Sequence, residues 1–309
     1  MNLPRISVLI PAYNSAQTLS AAISSAIAQT VPPHEIIIVD DGSKDDTALI
    51  AEGFGEKVQV IRQANGGPAA ARNRAAKTAA GDWLALLDAD DSWLPQKLER
   101  QIAILERENF DLKIGVVHSF SGDAKGDLDR EPIDFDLLWQ RNRVATTTVL
   151  VRREAFEAAG GFEEDRALIG VEDYHLWLRL ASAGWKFALC PEVLVCYTPA
   201  ANSLTSQTER FARAELTNAG HIARLLRLPD ERLRRKQTGI YAQYGRDLLH
   251  SREMGAARRM LWVPLRRRPN GNNLLWWLAT FAPLSWLNWK RRKNPAAILP
   301  FSPSRVNKL

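Results

Sequence analysis

The sequence predicts an α/β protein, a mostly parallel sheet flanked by helices and followed by a helical, basic C-terminal region. Short apolar runs alternate with helical patterns four times over the first ninety residues, with crossovers long enough for parallel pairing. Three of those four runs end in turns dense in Asp, Asn, Gly and Pro, and ligands of parallel sheets bind outside the carboxyl ends of the strands. A reversal of charge near residue 200 then marks off a helical, basic C-terminal region.

Taken in order, Arg5-Ile6-Ser7-Val8-Leu9-Ile10 is apolar and β-branched, stops at Pro11, and reads as a buried strand. Residues 16–29 place Leu19, Ile23, Ala26 and Ile27 at helical spacing. Glu35-Ile36-Ile37-Ile38-Val39 is a second buried strand, closed by Asp40-Asp41-Gly42-Ser43, where Ser43 or Asp45 can cap the next helix. Val58-Gln59-Val60-Ile61 is a third strand. Asn65-Gly66-Gly67-Pro68 opens a helix with proline in its first turn. Trp83-Leu84-Ala85-Leu86-Leu87 is a fourth strand.

Past residue 114 the pattern is less regular. A strand is expected at 116–118, a polar loop at 121–130, and a strand over 146–151. Gly160-Gly161-Phe162 marks a tight turn. A helix from Asp173 ends at Gly184, and two strands are expected at 187–189 and 193–195. Strand signals stop beyond 205, which gives expected boundaries of 1–205 for an α/β domain and 206–309 for a helical one.

The fourth strand runs straight into Asp88-Ala89-Asp90-Asp91, three carboxylates within four residues. Such crowding is unfavourable without a positive partner, and a divalent cation holding a diphosphate supplies one. Mg²⁺ and Mn²⁺ take oxygen ligands, with one or two carboxylates beside substrate phosphates. Asp91 with Ser92 reads equally as the cap of a helix starting near Pro95. Asn65-Gly66-Gly67-Pro68 places backbone N–H groups at a helix N-terminus, a favourable place for anions. Arg72 lies one turn further in, within reach of a phosphate, while Arg74 reads as a solvated face.

Composition is that of an ordinary globular chain, 46% hydrophobic and 25% charged. The two cysteines, Cys190 and Cys196, would lie about 20 Å apart on one strand, too far to bridge, so a reducing compartment is the default. The N-terminal residues lead directly into a strand with no leader-like stretch, and the expected location is cytoplasmic. Residues 1–200 hold 20 Lys and Arg against 29 Asp and Glu, whereas residues 201–309 hold 21 against 6. The second half is therefore suited to an anionic partner.

With these landmarks in place, residues 5–205 resemble the family-2 glycosyltransferases, which have the GT-A fold. Six motifs carry the resemblance, in the family's order: Val8-Leu9-Ile10-Pro11-Ala12-Tyr13-Asn14, Ile38-Val39-Asp40-Asp41-Gly42-Ser43, Asn65-Gly66-Gly67-Pro68-Ala69-Ala70-Ala71-Arg72-Asn73, Leu87-Asp88-Ala89-Asp90-Asp91, Gly160-Gly161-Phe162 and Glu172-Asp173-Tyr174. The resemblance implies a nucleotide-sugar donor, usually a UDP-sugar, a divalent metal (Mn²⁺ or Mg²⁺), and inversion at the anomeric carbon. It assigns nucleotide-sugar binding to Pro11, Ala12, Tyr13, Asp40, Asp41, Asn65, Gly67, Arg72, Asp88 and Ala89, and metal binding to Asp90 with Asp88. Asp173 matches the family's base and Glu172 is expected to support it. As plain structure, both are simply acids comfortable at a helix start. Trp177 and Trp185 could form an acceptor platform, although core packing is the better reading of each.

One departure stands out. Many relatives carry a histidine after the last strand of the catalytic domain that helps hold metal or diphosphate; here the stretch is Tyr197-Thr198-Pro199-Ala200-Ala201-Asn202-Ser203. His118 and His175 show no ligand spacing. The missing histidine leaves an alternative open, a non-catalytic nucleotide-binding partner in a membrane glycan-synthesis complex. A nucleotidyltransferase would want a Gly-rich loop with lysine after the first strand, where this chain has Pro11-Ala12-Tyr13-Asn14.

The apolar stretch from Leu274 to Trp289 has 16 residues and a central Pro283, short of the ~20 needed to span a bilayer. Five of the ten tryptophans lie at or after Trp262, and Arg266-Arg267-Arg268 and Lys290-Arg291-Arg292-Lys293 flank the stretch. Tryptophan and clustered cations suit an anionic leaflet. Residues 262–293 are thus expected to meet the inner face of the plasma membrane, or else to pack as helices on the catalytic domain with their basic residues solvated. A nucleic acid would explain the charge but not the tryptophans, and none is expected as a partner. The expected activity is transfer of a sugar to a glycan or lipid-linked acceptor in cell-surface polysaccharide biosynthesis.

Overall fold

The computed structural model describes residues 4–122, 131–196, 208–283 and 285. The chain divides into two compact units near residue 200. In the first, β1 (Ile6–Ala12), α1 (Leu19–Ile27), β2 (Glu35–Asp40), α2 (Thr47–Glu52), β3 (Gln59–Arg62), α3 (Pro68–Thr78) and β4 (Trp83–Leu86) alternate as the apolar runs dictate. The chain continues through β5 (Ser92–Trp93), α4 (Lys97–Arg107), β6 (Ile114–Ser121), α5 (Phe135–Gln140), β7 (Val149–Arg152), α6 (Arg153–Ala158), α7 (Glu172–Ser182) and β8 (Lys186–Cys196).

The eight strands form one sheet in the order β3-β2-β1-β4-β7-β6-β8-β5. β1 pairs in parallel with both β2 and β4, and β2 with β3. These four strands point the same way, so their carboxyl ends share one edge. β7 runs antiparallel to β4 and β6, β8 parallel to β6, and β5 antiparallel to β8. The fold is an α/β, mixed but mostly parallel sheet with helical cover. Val8, Ile10, Ile36 and Ile38 lie fully or almost fully buried in the main core, with Leu19, Ile23 and Ala26 of α1 and Leu98, Ile102 and Leu105 of α4. Burial on both faces is why these strands read as continuous apolar runs rather than alternating ones.

Several expectations are corrected in detail. β1 runs through Pro11 to Ala12, because β4 pairs with it only as far as Leu9, so the proline's missing N–H faces no β4 partner while Pro11 and Ala12 stay in register with Val39 and Asp40 of β2. Asp91 does not cap the following helix: Gln96 occupies that position, and Ser92 and Trp93 pair with Cys196 and Val195 as β5. Thr146–Thr148 form a 3₁₀ turn rather than the start of β7, with the Thr148 hydroxyl donating to Ala145 O at 2.7 Å. The two strands expected at 187–189 and 193–195 are one, β8, whose pairing with β6 is interrupted by register shifts. Both cysteines lie on it as free thiols, Cys190 buried and Cys196 exposed. Trp177 packs in the core between Phe162 and Phe187. The loop at 123–130 and the histidine-lacking stretch from Tyr197 onward lie outside the described residues.

The second unit is helical where described: α8 (Thr208–Leu225), α9 (Asp230–His250), α10 (Met254–Arg267) and α11 (Gly271–Ala279). Lys236 of α9 pairs with Glu215 of α8 at 3.0 Å with both side chains nearly buried, and Phe211 meets Tyr244 at 6.1 Å between ring centres. Gly245 lets α9 and α10 approach: a Cβ there would sit 2.7 Å from Leu261 Cγ. None of the described helices is long and apolar enough to cross a membrane.

Candidate active site

Three loops leave the shared carboxyl edge of β1, β2 and β4, and the pairing register brings their chemistry together. Ala12 pairs with Asp40, and Asp41 N donates to Ala12 O at 2.8 Å, so the Pro11-Ala12-Tyr13 and Asp40-Asp41 segments lie side by side. Asn14 N donates to Ser43 Oγ at 2.9 Å and Asn14 Oδ1 accepts from Lys44 N at 2.8 Å, tying the two loops. Tyr13 stands out, 48% exposed, beside buried Ala12.

Asp41 is buried, and its carboxylate is filled by the chain's own donors. Oδ1 accepts from Gln63 Nε2 (2.7 Å) and Gly66 N (2.8 Å); Oδ2 accepts from Gly67 N (2.8 Å) and Asn65 Nδ2 (3.1 Å). A carboxylate has about four lone-pair sites, so Asp41 holds the Asn65-Gly66-Gly67 loop in shape. Gly67 lies at φ +93° at the N-terminus of α3, a conformation side-chain-bearing residues rarely adopt. Asp40 is buried at the same strand end and accepts from Ser43 N at 3.1 Å. The sequence had indicated Asp40, Asp41, Asn65 and Gly67, but not Gln63, whose role appears only once β3 is seen beside β2.

Arg72, on the buried face of α3, joins two distant motifs. One guanidinium nitrogen donates to Asp88 Oδ1 at 2.7 Å and the other to Glu172 Oε1 at 2.8 Å. Burial works against its charge, but the Asp88 and Glu172 carboxylates more than offset that and hold it protonated. It therefore stands between two carboxylates. Its neighbour Asn73 clasps the Gly160-Gly161-Phe162 turn, donating to Phe162 O at 2.9 Å and accepting from Phe162 N at 2.8 Å. A Cβ on Gly161 would meet Asn73 Oδ1 at 2.7 Å, so the glycine is required by this approach. Arg74, by contrast, is exposed.

Asp173 opens α7 beside Glu172. Its Oδ2 accepts from Thr146 Oγ1 at 2.9 Å and from Asn142 Nδ2 at 3.3 Å. Burial, then the neighbouring Glu172 charge, pushes its carboxyl up to about 7, against the opposing pull of the hydrogen bonds. A carboxylate poised near neutrality suits general-base work. Glu172 is turned away, with Oε1 on Arg72 and Oε2 accepting from Gly170 N at 2.7 Å. Thr146 and Asn142 carried no signal in the sequence, since only the tertiary fold brings them to Asp173.

Asp90 is half-buried, and its carboxyl is raised above the ordinary range by burial and then by the Asp88 charge. A cation between these two groups would relieve both effects. The donors are oxygens only, which fits hard ions, and a pair of carboxylates leaves remaining positions to phosphate oxygens. Among the described residues no group of three or more His, Cys, Asp and Glu is gathered as a self-sufficient metal cluster.

The chain has recognisable relatives. The family profile described as Glycosyl transferase family 2 matches residues 7–161. An uncharacterized glycosyltransferase of Rickettsia prowazekii is 33% identical over 189 residues, covering 57% of this chain and 58% of that protein. The Escherichia coli UDP-Glc:alpha-D-GlcNAc-diphosphoundecaprenol beta-1,3-glucosyltransferase WfgD is 30% identical over 180 residues, covering 57% of this chain and 69% of that one. The chain thus spans less than two thirds of the length of the first of these relatives. Among solved structures, Staphylococcus aureus TarS in complex with UDP-GlcNAc superposes with a TM-score of 0.58 at 19% identity, covering 89% of this chain and 79% of that one. The mannosyltransferase PcManGT of Pyrobaculum calidifontis, in complex with GDP-Man and Mn²⁺, gives 0.59 at 17% identity, covering 96% and 88%. These two likenesses establish a shared fold.

Proposed function

From the premise that the chain belongs to glycosyltransferase family 2, we propose that it moves a sugar, with inversion, from a UDP-sugar to a lipid-linked glycan acceptor. The observation that carries this reading is the convergence of Asp88, Asp90 and Asp173 around Arg72 at one sheet edge. UDP is favoured over other nucleotides because WfgD is named for a UDP-sugar and TarS is seen with one. The diphosphoundecaprenol acceptor in the name of WfgD motivates the lipid-linked acceptor. Such an acceptor also places the work at a membrane, and residues 262–293 are the part assigned to that surface. Residues 1–205 are the proposed catalytic domain and 206–309 the accessory one.

In this reading Asp173 accepts the proton of the acceptor hydroxyl as that oxygen attacks the anomeric carbon. The bond from that carbon to the diphosphate oxygen breaks, and its electron pair leaves with UDP. Thr146 and Asn142 hold the Asp173 carboxylate in place, and Glu172 keeps Arg72 fixed between the two acid motifs. A Mn²⁺ or Mg²⁺ ion held by Asp90 and Asp88 would supply positive charge to the departing diphosphate. Pro11, Ala12, Tyr13, Asp40 and the loop shaped by Asp41 form the nucleoside side of the site, with Ala89 between the two acidic ligands.

A screen of UDP-Glc, UDP-GlcNAc and GDP-Man for metal-dependent nucleotide release tests the proposal. Release from a UDP-sugar that is lost in Asp173→Asn supports it. No release from any donor, with nucleotide binding intact, would favour a non-catalytic partner of a glycan-synthesis complex.

A further inference from the structure

Helix α11 is turned inside out for a water-soluble protein. None of its residues is buried, and Leu274, Leu275, Leu278 and the following Phe281 are 43%, 66%, 49% and 51% exposed. Leu274, Leu278 and Phe281 follow one another at i, i+4 and i+7, so they share a face. Trp262 of α10 adds a further exposed ring, tilted against Trp277 at 5.4 Å between ring centres, and Trp277 in turn meets Phe281 at 4.9 Å. Arg258 braces this cluster from beneath, its guanidinium 3.7 Å from the Phe281 ring centre and donating to Thr280 O at 3.0 Å. These contacts brace the surface while it remains apolar.

The charge around it is of one sign. Residues 254–283 contain five arginines and no Asp or Glu. Three of them, Arg266, Arg267 and Arg268, close α10 and are exposed immediately before α11 begins. A second copy of the chain docking face to face on this surface would bring arginines against arginines. An anionic leaflet satisfies both features, taking the leucines at the acyl boundary and the arginines at the headgroups.

We propose that the α10–α11 corner is a monotopic membrane-binding surface, in which Leu274, Leu275, Leu278 and Phe281 insert into an anionic phospholipid leaflet and residues 266–268 contact its headgroups. This deepens the membrane-surface part of the function proposed above and rests on it only for its purpose, since the surface is defined without reference to the active site.

The test uses the full-length chain and sedimentation with vesicles of phosphatidylcholine alone or with one quarter phosphatidylglycerol. The chain is expected to partition onto the mixed vesicles at least tenfold better than onto phosphatidylcholine, and less well as salt is raised. Leu275→Glu with Leu278→Glu should abolish that partitioning. Arg266→Gln, Arg267→Gln and Arg268→Gln together should weaken it on the order of 100-fold, at about fivefold per arginine. Both sets lie on exposed positions, and vesicle-free UDP release should be unchanged in each. Absence of partitioning, equal partitioning onto phosphatidylcholine, or undiminished binding by both variants would overturn the proposal. So would conversion of a dimer to a monomer by the leucine substitutions without effect on lipid binding. Failure of UDP release in the parent chain, with partitioning intact, would count against the glycosyltransfer reading and leave this one standing.

Discussion

Arg72 pairs with Glu172 at 2.8 Å across 100 residues of sequence, while its other arm holds Asp88 at 2.7 Å. This one guanidinium fixes the distance between the strand-exit acids and the helix that carries Asp173. Both it and Glu172 are almost fully buried. Arg72→Met would leave two carboxylates facing each other without their cation. A loss of about 3–5 kcal/mol in stability is expected, read as a fall in the urea midpoint, together with loss of UDP release.

Asp173→Asn keeps the shape of the site but cannot take a proton. Transfer should fall roughly 10²- to 10⁴-fold, while calorimetric affinity for the UDP-sugar stays within about twofold. A parallel loss of donor affinity would place Asp173 in binding rather than in proton transfer.

The raised carboxyl of Asp173 sets a pH dependence. Below about 7 the group is protonated and cannot serve as base; above it the carboxylate form prevails. The acid limb of kcat/KM should accordingly lie near neutrality. Thr146→Val removes a donor that favours the charged form, so the limb should move to higher pH, by about one unit for ~1.4 kcal/mol of lost hydrogen bonding. Thr146→Ser should restore the parent profile.

Asp41→Ala empties a position that gathers four donors from Gln63, Asn65, Gly66 and Gly67. The loop before α3 would lose its shape, leaving buried N–H groups unpaired at about 1–3 kcal/mol each. UDP affinity should fall tenfold or more in a titration, and thermal stability should fall with it.

What could be read from the sequence was what local chemistry encodes. The runs ending at Ile10, Val39 and Leu87 are apolar because both sheet faces are covered, and parallel pairing then forces their polar exits to one edge. Arg72 and Glu172 could each be singled out by motif, but their pairing could not, because it depends on how α3 and α7 meet. Thr146 sits in a run of threonines that resembles a strand by propensity. Its turn conformation follows from tertiary contacts: Trp93 Nε1 donates to Thr147 O at 2.9 Å and Gln101 Nε2 to Thr148 O at 2.8 Å. Likewise, β8 appeared as two strands because the residues between its apolar ends, Pro191 and Glu192, are exposed.

In the proposed mechanism Asp88 and Asp90 hold a divalent cation against the diphosphate of the donor. The most direct measurement is the thermal stabilisation of the protein by UDP with Mn²⁺ and with a chelator, for the parent chain and for Asp90→Asn. The expected shift requires Mn²⁺ in the parent and disappears in the variant. Equal stabilisation by UDP with or without the metal, unchanged in Asp90→Asn, would contradict it.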